Sequence, residues 1–412
     1  MSDKKYPVYS YRWIVLAVFM FVNLTIQILW ISYAPITSSA TDYYGVDDLA
    51  IGLLAMSFMI AFIPLSIPAS WVIDTYGFRR GVGLGVVLMA AGGLARGLAG
   101  SSYAIVLVGT IAAAVAQPFL LNAWTKVPAN WFAMEERATA VGLVTLSNLV
   151  GTAIGMALTP VLADSLSIPT IQLIYGGVTA LSAVLFLIYS REKPPTPPCP
   201  PDMEARALML DGLKNALHNR TFGLYLLVSF IGIGIFNGIN TWIEGIVRLR
   251  GFSSTDAGTL GAVMLVGGVL GAVIIPPFSD KQHKRQPYLL LGILLSIPGL
   301  IGLTFFTAFG LLIASAFILG FFLVSTLPIG MQYAAEITYP TPEGTSNGLI
   351  QLFGQGSVVF VLVLDVLNTS DDSFTPSLVL AILLLLMSAG VITRLKDPSA
   401  RFPPNEFGAI KE

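Results

Sequence analysis

One cysteine and two histidines in 412 residues remove several chemistries at once. Cys199, alone, forms neither an internal disulfide nor a cysteine metal cluster, and the redox compartment stays open. His218 and His283 both fall in polar connectors, so no apolar run offers a histidine to ligate iron or to complete a catalytic triad. Charge is equally scarce: 11% of residues are charged against 55% hydrophobic, and 22 basic and 23 acidic residues leave a net charge of −1 that says nothing about partners. A soluble chain of this length would divide into domains with charged surfaces. There is no Walker loop and no metal-ligand spacing. The expectation is therefore no enzyme, no cofactor, no metal and no nucleic-acid partner. The opening "MSDKKYPVYSYRW" leads straight into an apolar run too long for a leader, and reads as a retained first helix.

What the chain has in abundance is long apolar runs. Twelve approach the twenty or so residues that a bilayer core demands: approximately 13–36, 49–73, 81–99, 103–124, 138–162, 170–190, 221–247, 257–278, 287–307, 309–333, 346–367 and 377–395. They are continuous rather than alternating, which implies helices and not barrel strands. The expected fold is an all-α membrane protein of twelve transmembrane helices in two six-helix bundles. Residues 1–190 and 221–412 form the bundles, the latter with a tail, and 191–220 form a connector. The prolines of that connector favour an extended start, and its second half reads as a short amphipathic surface helix.

Basic residues sort by side. With a cytoplasmic N-terminus, 19 of the 22 Lys and Arg face the cytoplasm; Arg248 and Arg250 lie outside, and Arg96 sits in or near the end of the third span. Both termini and the connector are thus expected to be cytoplasmic, in a multi-pass protein of the plasma membrane. A missed helix would scramble this asymmetry.

An internal repeat supports two related halves. "WVIDTYGFRRG" (71–81) follows span 2 and "PPFSDKQHKRQ" (276–286) follows span 8, six helices later. Asp74 and Asp280 each stand at a helix end ahead of basic residues, an arrangement suited to a cytoplasmic latch in which a carboxylate pairs with Arg or Lys or with a helix N-terminus. The bland alternative is ordinary loop charge.

These residues resemble the major facilitator superfamily, whose loop between spans 2 and 3 carries Asp, Gly and then Arg/Lys pairs, here Asp74, Gly77, Arg79 and Arg80. The stretches "PASWVIDTYGFR" (68–79), "AVAQPFLL" (114–121), "NLVGTAIG" (148–155) and "AEITYPTPEGTSNGL" (335–349) are similar to the feline leukaemia virus subgroup C receptor-related transporters. The resemblance implies a substrate site between two bundles at mid-membrane, alternating access by rocking, and solutes such as choline, ethanolamine or haem.

Polar residues on helical faces mark candidate positions. In the run 221–247, Asn237, Asn240, Thr241 and Glu244 recur at i, i+3, i+4 and i+7, a stripe that lipid would not tolerate. Span 11 offers Asn347, Gln351, Gln355 and Asp365 over five helical turns, span 1 offers Asn23, Gln27 and Trp30, and span 4 offers Thr110 and Gln117. Trp30 supplies a ring for cation–π attraction, and Gln117 and Gln355 supply carbonyl acceptors, the set that a small ammonium ligand needs. By resemblance these three match a tryptophan and two glutamines of the family. Where the resemblance leads us to expect an asparagine on span 1 the chain has Ile26 beside Gln27, and for a tyrosine on span 7 it has Asn237 beside Phe236, so a smaller or more polar cation fits as well. Asn23, Asn148 and Gln351 read equally as interhelical glue, and Trp13, Trp124 and Trp131 as an interface belt. Glu244 reads either as a structural pair with Arg248 or as counter-charge for a cationic solute.

The reading is a monomeric transporter of a small polar organic solute in contact with membrane lipid. A haem or porphyrin transporter and a solute-sensing receptor are the alternatives.

Overall fold

The computed structural model describes residues 9–196, 213–282, 284–339, 341, 343–367 and 373–395. Cys199, His283 and most of the connector lie outside the described residues. Twelve helices are long and apolar enough to cross a membrane: Arg12–Tyr44, Asp48–Tyr76, Phe78–Leu98, Tyr103–Leu121, Thr139–Ala163, Ile168–Tyr189, Arg220–Thr241, Ser254–Gln282, Gln286–Phe305, Phe309–Thr338, Thr345–Val366 and Thr375–Ile392. We number them spans 1–12. Lipid offers no hydrogen-bond partners, so each segment satisfies its own backbone, and helices are the outcome that apolar runs of this length allow.

Packing groups residues 1–208 with Asn240–Ala262 in one unit and 209–Ile239 with Val263–Glu412 in a second. Within the first, span 3 packs on spans 4 and 6, and span 1 packs on span 5. Glycines permit the closeness: a Cβ at Gly92 of span 3 would stand 2.3 Å from the carbonyl oxygen of Gly109 on span 4. In the second unit span 9 packs on spans 10 and 12.

Three spans are not continuous. Span 1 leaves the α-helix after Ile31, passes through a 3₁₀ turn at Ala34–Ile36 and resumes as Thr37–Tyr44. Pro35 is the local reason, since it donates no backbone hydrogen bond. Span 7 ends at Thr241; Trp242 leaves helical geometry, and a separate short helix runs Ile243–Arg248. The Trp242 ring lies against span 2, where a Cβ at Gly52 would meet its Cη2 at 2.4 Å. Span 11 divides at Ser357 into Glu343–Gly356 and Val358–Val366. The stripe expected from uninterrupted helices is therefore divided. Asn237, Asn240 and Thr241 stay on span 7 while Glu244 stands on the next helix, and Gln355 is separated from Asp365.

Candidate functional site

Trp30 and Gln117 both belong to the first unit. Trp30 is buried in the last α-helical turn of span 1 before its break, and its indole N–H finds no acceptor among the described residues. Gln117 is buried one residue before Pro118 on span 4, and its side-chain carbonyl oxygen has no donor there. Spans 1 and 4 pack against each other. Buried polar atoms are rarely left without partners, so both atoms are candidates to meet a polar ligand.

Asn240 and Thr241, the last two residues of span 7, are also buried within the first unit. Phe236 and Asn237 belong to the second unit, as does Gln355, which precedes the Ser357 break by two residues. Spans 7 and 11 run close there: a Cβ at Gly234 would touch Ser357 and Phe360 at 3.1 Å. Trp30, Asn240 and Gln355 thus each stand two residues before a discontinuity, at Ser32, Trp242 and Ser357 respectively. Broken helices expose backbone polar groups that a solute engages, and transporter sites are built at such breaks.

Other polar residues of span 1 are occupied. Gln27 donates to Asn148 at 2.6 Å, and the side-chain oxygen of Asn23 accepts from Trp124 at 2.8 Å and from Asn148 at 3.5 Å. Asn23 and Asn148 thus act as interhelical glue. Trp124 is turned into this network and Trp131 is buried, donating to the Arg191 carbonyl at 3.0 Å, so neither forms a lipid-facing belt; Trp13 remains 45% exposed.

Glu244 is held on three sides. It accepts from the Ser38 amide at 2.8 Å, from the Ser38 hydroxyl, and from the Ser254 hydroxyl at 3.2 Å. Ser38 lies in the first turn of the helix that continues span 1, where the amides carry partial positive charge. Arg248 donates to the Ser38 hydroxyl at 3.2 Å and pairs with Asp48 of span 2 at 2.9 Å. Glu244 lies beyond the last residue of span 7. Burial raises its pKa above the ordinary carboxyl value, against the lowering pull of Ser38, Arg248 and Ser254. The sequence pointed to Glu244 and Arg248 but not to Ser38 or Asp48, about two hundred positions away.

The two repeat segments, after span 2 and at the end of span 8, are anchored within their own units. Asp74 pairs with Lys126 at 3.0 Å. Gly77 has φ of 89°, and a Cβ there would collide with the Glu192 carboxylate. Glu192 accepts from the amides of Phe78 at 3.0 Å and Arg79 at 2.8 Å, the start of span 3. The Arg79 guanidinium reaches the Leu187 carbonyl at 3.4 Å, and Arg80 is exposed. In the second unit Arg285 bonds to Asp280 and to Glu336 of span 10, the latter at 3.0 Å. His218 is exposed, and no group of three or more metal-ligating side chains occurs among the described residues.

Residues 15–364 match the Major Facilitator Superfamily. The choline/ethanolamine transporter FLVCR1 of Mus musculus is 30% identical over 397 residues, which cover 87% of this chain and 70% of that protein. Solute carrier family 49 member A3 of Danio rerio is 30% identical over 389 residues, covering 90% and 81%. Among solved structures, a bacterial homolog to the human lysosomal transporter Spinster, inward-facing and unoccupied, superimposes with a TM-score of 0.72 at 15% identity, over 97% of this chain and all of that one. The human organic anion transporter MFSD10 gives 0.67 at 14% identity, over 92% and 99%. These two structures share the fold, whereas the sequence relatives carry the kinship. A multi-pass membrane protein of twelve helices, not an enzyme, this chain belongs to the major facilitator superfamily of transporters and, within it, to the family of FLVCR1 and solute carrier 49 member A3.

Proposed function

We propose that the protein carries a small organic cation of the choline or ethanolamine type by alternating access. The observation that supports this most is a pair of buried groups without partners among the described residues, the Trp30 indole N–H and the Gln117 carbonyl oxygen, on neighbouring helices, Trp30 beside a helix break. A ring face attracts an ammonium group by cation–π interaction, worth about 2 kcal/mol when desolvated. The Gln117 oxygen accepts from a primary ammonium or a hydroxyl, and Asn240 and Thr241 of the same unit supply further polar contacts; the family resemblance adds Gln355, Asn237 and Phe236 as candidates from the second unit. The relative FLVCR1, a choline/ethanolamine transporter, agrees with such a ligand.

Glu244 joins this reading as a counter-charge on the outer route. Its carboxylate is clasped by Ser38 and Ser254 and becomes available to a passing cation once those bonds release. Asp74, Gly77, Arg79, Arg80 and Asp280 serve as the fixed points of the opposite, cytoplasmic side. The 19 of 22 basic residues on that side support cytoplasmic termini in a plasma-membrane protein. An impermeant maleimide applied to right-side-out vesicles should leave Cys199 unlabelled; labelling would reverse this orientation.

Counterflow of labelled choline and ethanolamine in proteoliposomes tests the function and separates a carrier from a receptor. We expect exchange of at least one, loss of about tenfold or more in kcat/KM for W30A, and partial retention in W30F. No exchange of either solute by folded protein, or full activity of W30A, would overturn the reading.

A further inference from the structure

The entrance to span 1 and the exit of span 6 lie at one end of the first unit and enclose a surface cavity of about 290 Å³, lined by Tyr9, Tyr11, Trp131, Arg191, Lys193 and Pro195. The strap that forms its wall, 190–196, is firmly seated. The Ser190 amide closes span 6 on Phe186, the Arg191 carbonyl accepts from Trp131, the Glu192 carbonyl accepts from Asn130, and Thr196 and Tyr9 share a hydroxyl contact at 2.8 Å. From the other side the Tyr11 hydroxyl donates to the Tyr189 carbonyl at 2.9 Å.

The chemistry of the lining is cationic and aromatic. Arg191 lies over the Tyr11 ring at 4.5 Å and pairs with no carboxylate among the described residues. Glu192 and Glu136 are committed elsewhere: both Glu192 oxygens are taken by the amides of Phe78 and Arg79, and Glu136 is paired with Arg12 at 2.8 Å. Lys193 adds a second positive side chain to the lining. Depth is set by the spans themselves, since span 1 begins at Arg12 and span 6 ends at Tyr189, with Trp13 and Tyr189 both more than two-fifths exposed at that level. Exposed tryptophan and tyrosine at span ends sit at the headgroup layer.

We infer that this cavity binds the phosphate-bearing headgroup of an anionic phospholipid, with Arg191 and Lys193 engaging the phosphate and Tyr11 and Trp131 forming the walls. A guanidinium pre-placed on a ring and lacking a carboxylate is the arrangement that suits phosphate oxygens, and basic pockets beside membrane helices take anionic headgroups. The site stands apart from Trp30 and Gln117 and does not depend on the solute proposed above.

Thermal unfolding of the purified, detergent-solubilised full chain tests it, because a ligand of the folded state raises apparent stability. Dioctanoyl phosphatidic acid should raise the transition of the wild type by several degrees, while dioctanoyl phosphatidylcholine and inorganic phosphate at the same concentration should not. R191Q/K193Q should bind the acid roughly 30-fold more weakly. K281Q/K284Q, which removes two exposed charges from the end of span 8 and the turn behind it, should keep the wild-type response. If the double variant does not fold, R191Q alone serves, because its guanidinium makes no hydrogen bond among the described residues; it should weaken binding about fivefold. An equal shift with phosphatidylcholine, an equal shift with inorganic phosphate, or a wild-type response from R191Q/K193Q or R191Q would each overturn the proposal.

Discussion

The loops after spans 2 and 8 begin alike, with an aspartate at a helix end and basic residues behind it, and are then fastened by different means. After span 2 the aspartate looks outside its loop, to Lys126, and the next helix is capped by Glu192, whose seat exists only because residue 77 lacks a Cβ. After span 8 the loop's own arginine does the fastening, reaching Asp280 on one side and Glu336 on the other. One loop is fixed through backbone amides and a glycine, the other through a guanidinium fork. A repeat in sequence thus preserves the aspartate but not its partner, which is chosen by whichever charged side chain the neighbouring helices bring.

That contrast breaks most readily at Arg285. Its side chain is largely buried between two carboxylates, so R285A should lower stability by about 3 kcal/mol, read as a fall in thermal midpoint, because removal leaves Glu336 without its cation. Asp280, more exposed, contributes little to that figure. The equivalent injury on the other side is G77A. The left-handed backbone at φ of 89° disfavours any side chain, and the new methyl would displace Glu192, so a loss of about 2 kcal/mol is expected. Combining G77A with E192A sharpens the comparison: if the two share one seat, the double loss should fall well short of the sum.

Smallest is the effect of Glu244, which is visible chiefly in its pH dependence. A folded-state pKa above the unfolded value makes the folded protein the stronger proton binder in the window just above the ordinary carboxyl value of 4.5. The contribution is then fully present below that window and lost as pH rises through the raised pKa. Wild-type stability should decline over that interval and E244Q should flatten the decline. Equal slopes in both proteins would remove Glu244 as the titrating group.

The spans were legible because hydropathy reports exactly the property that a bilayer selects, and all twelve runs became helices. Their interruptions were not. Pro35 gave a local sign of the break in span 1, but the break at Trp242 has no such proline, and its ring lies over Gly52 far away in the chain. Face-sharing arguments for Glu244 and Asp365 assumed unbroken helices and were divided accordingly. Trp30 and Gln117 were legible as polar or aromatic residues that lipid does not require, and burial with unpartnered atoms is what the structure adds. Glu192 escaped notice because its partners lie 114 and 113 residues away and are backbone amides, which leave no trace in side-chain pattern.

Arg96 bears on how the chain comes to be in a membrane at all. It lies wholly buried in span 3, donating to the Leu29 carbonyl at 2.6 Å and the Ser32 hydroxyl at 2.9 Å and resting over the Tyr33 ring at 4.8 Å, with no carboxylate partner among the described residues. Arg96 stands in the last turn of span 3, where an arginine costs less than the roughly 2.5 to 3.5 kcal/mol of a helix centre, and the groups that receive its guanidinium belong to span 1. Span 1 leaves the ribosome first. Its broken end thus awaits span 3 during synthesis, so that a lesion at Leu29–Tyr33 would act as a biogenesis defect, lowering the yield of inserted protein before any transport is measured.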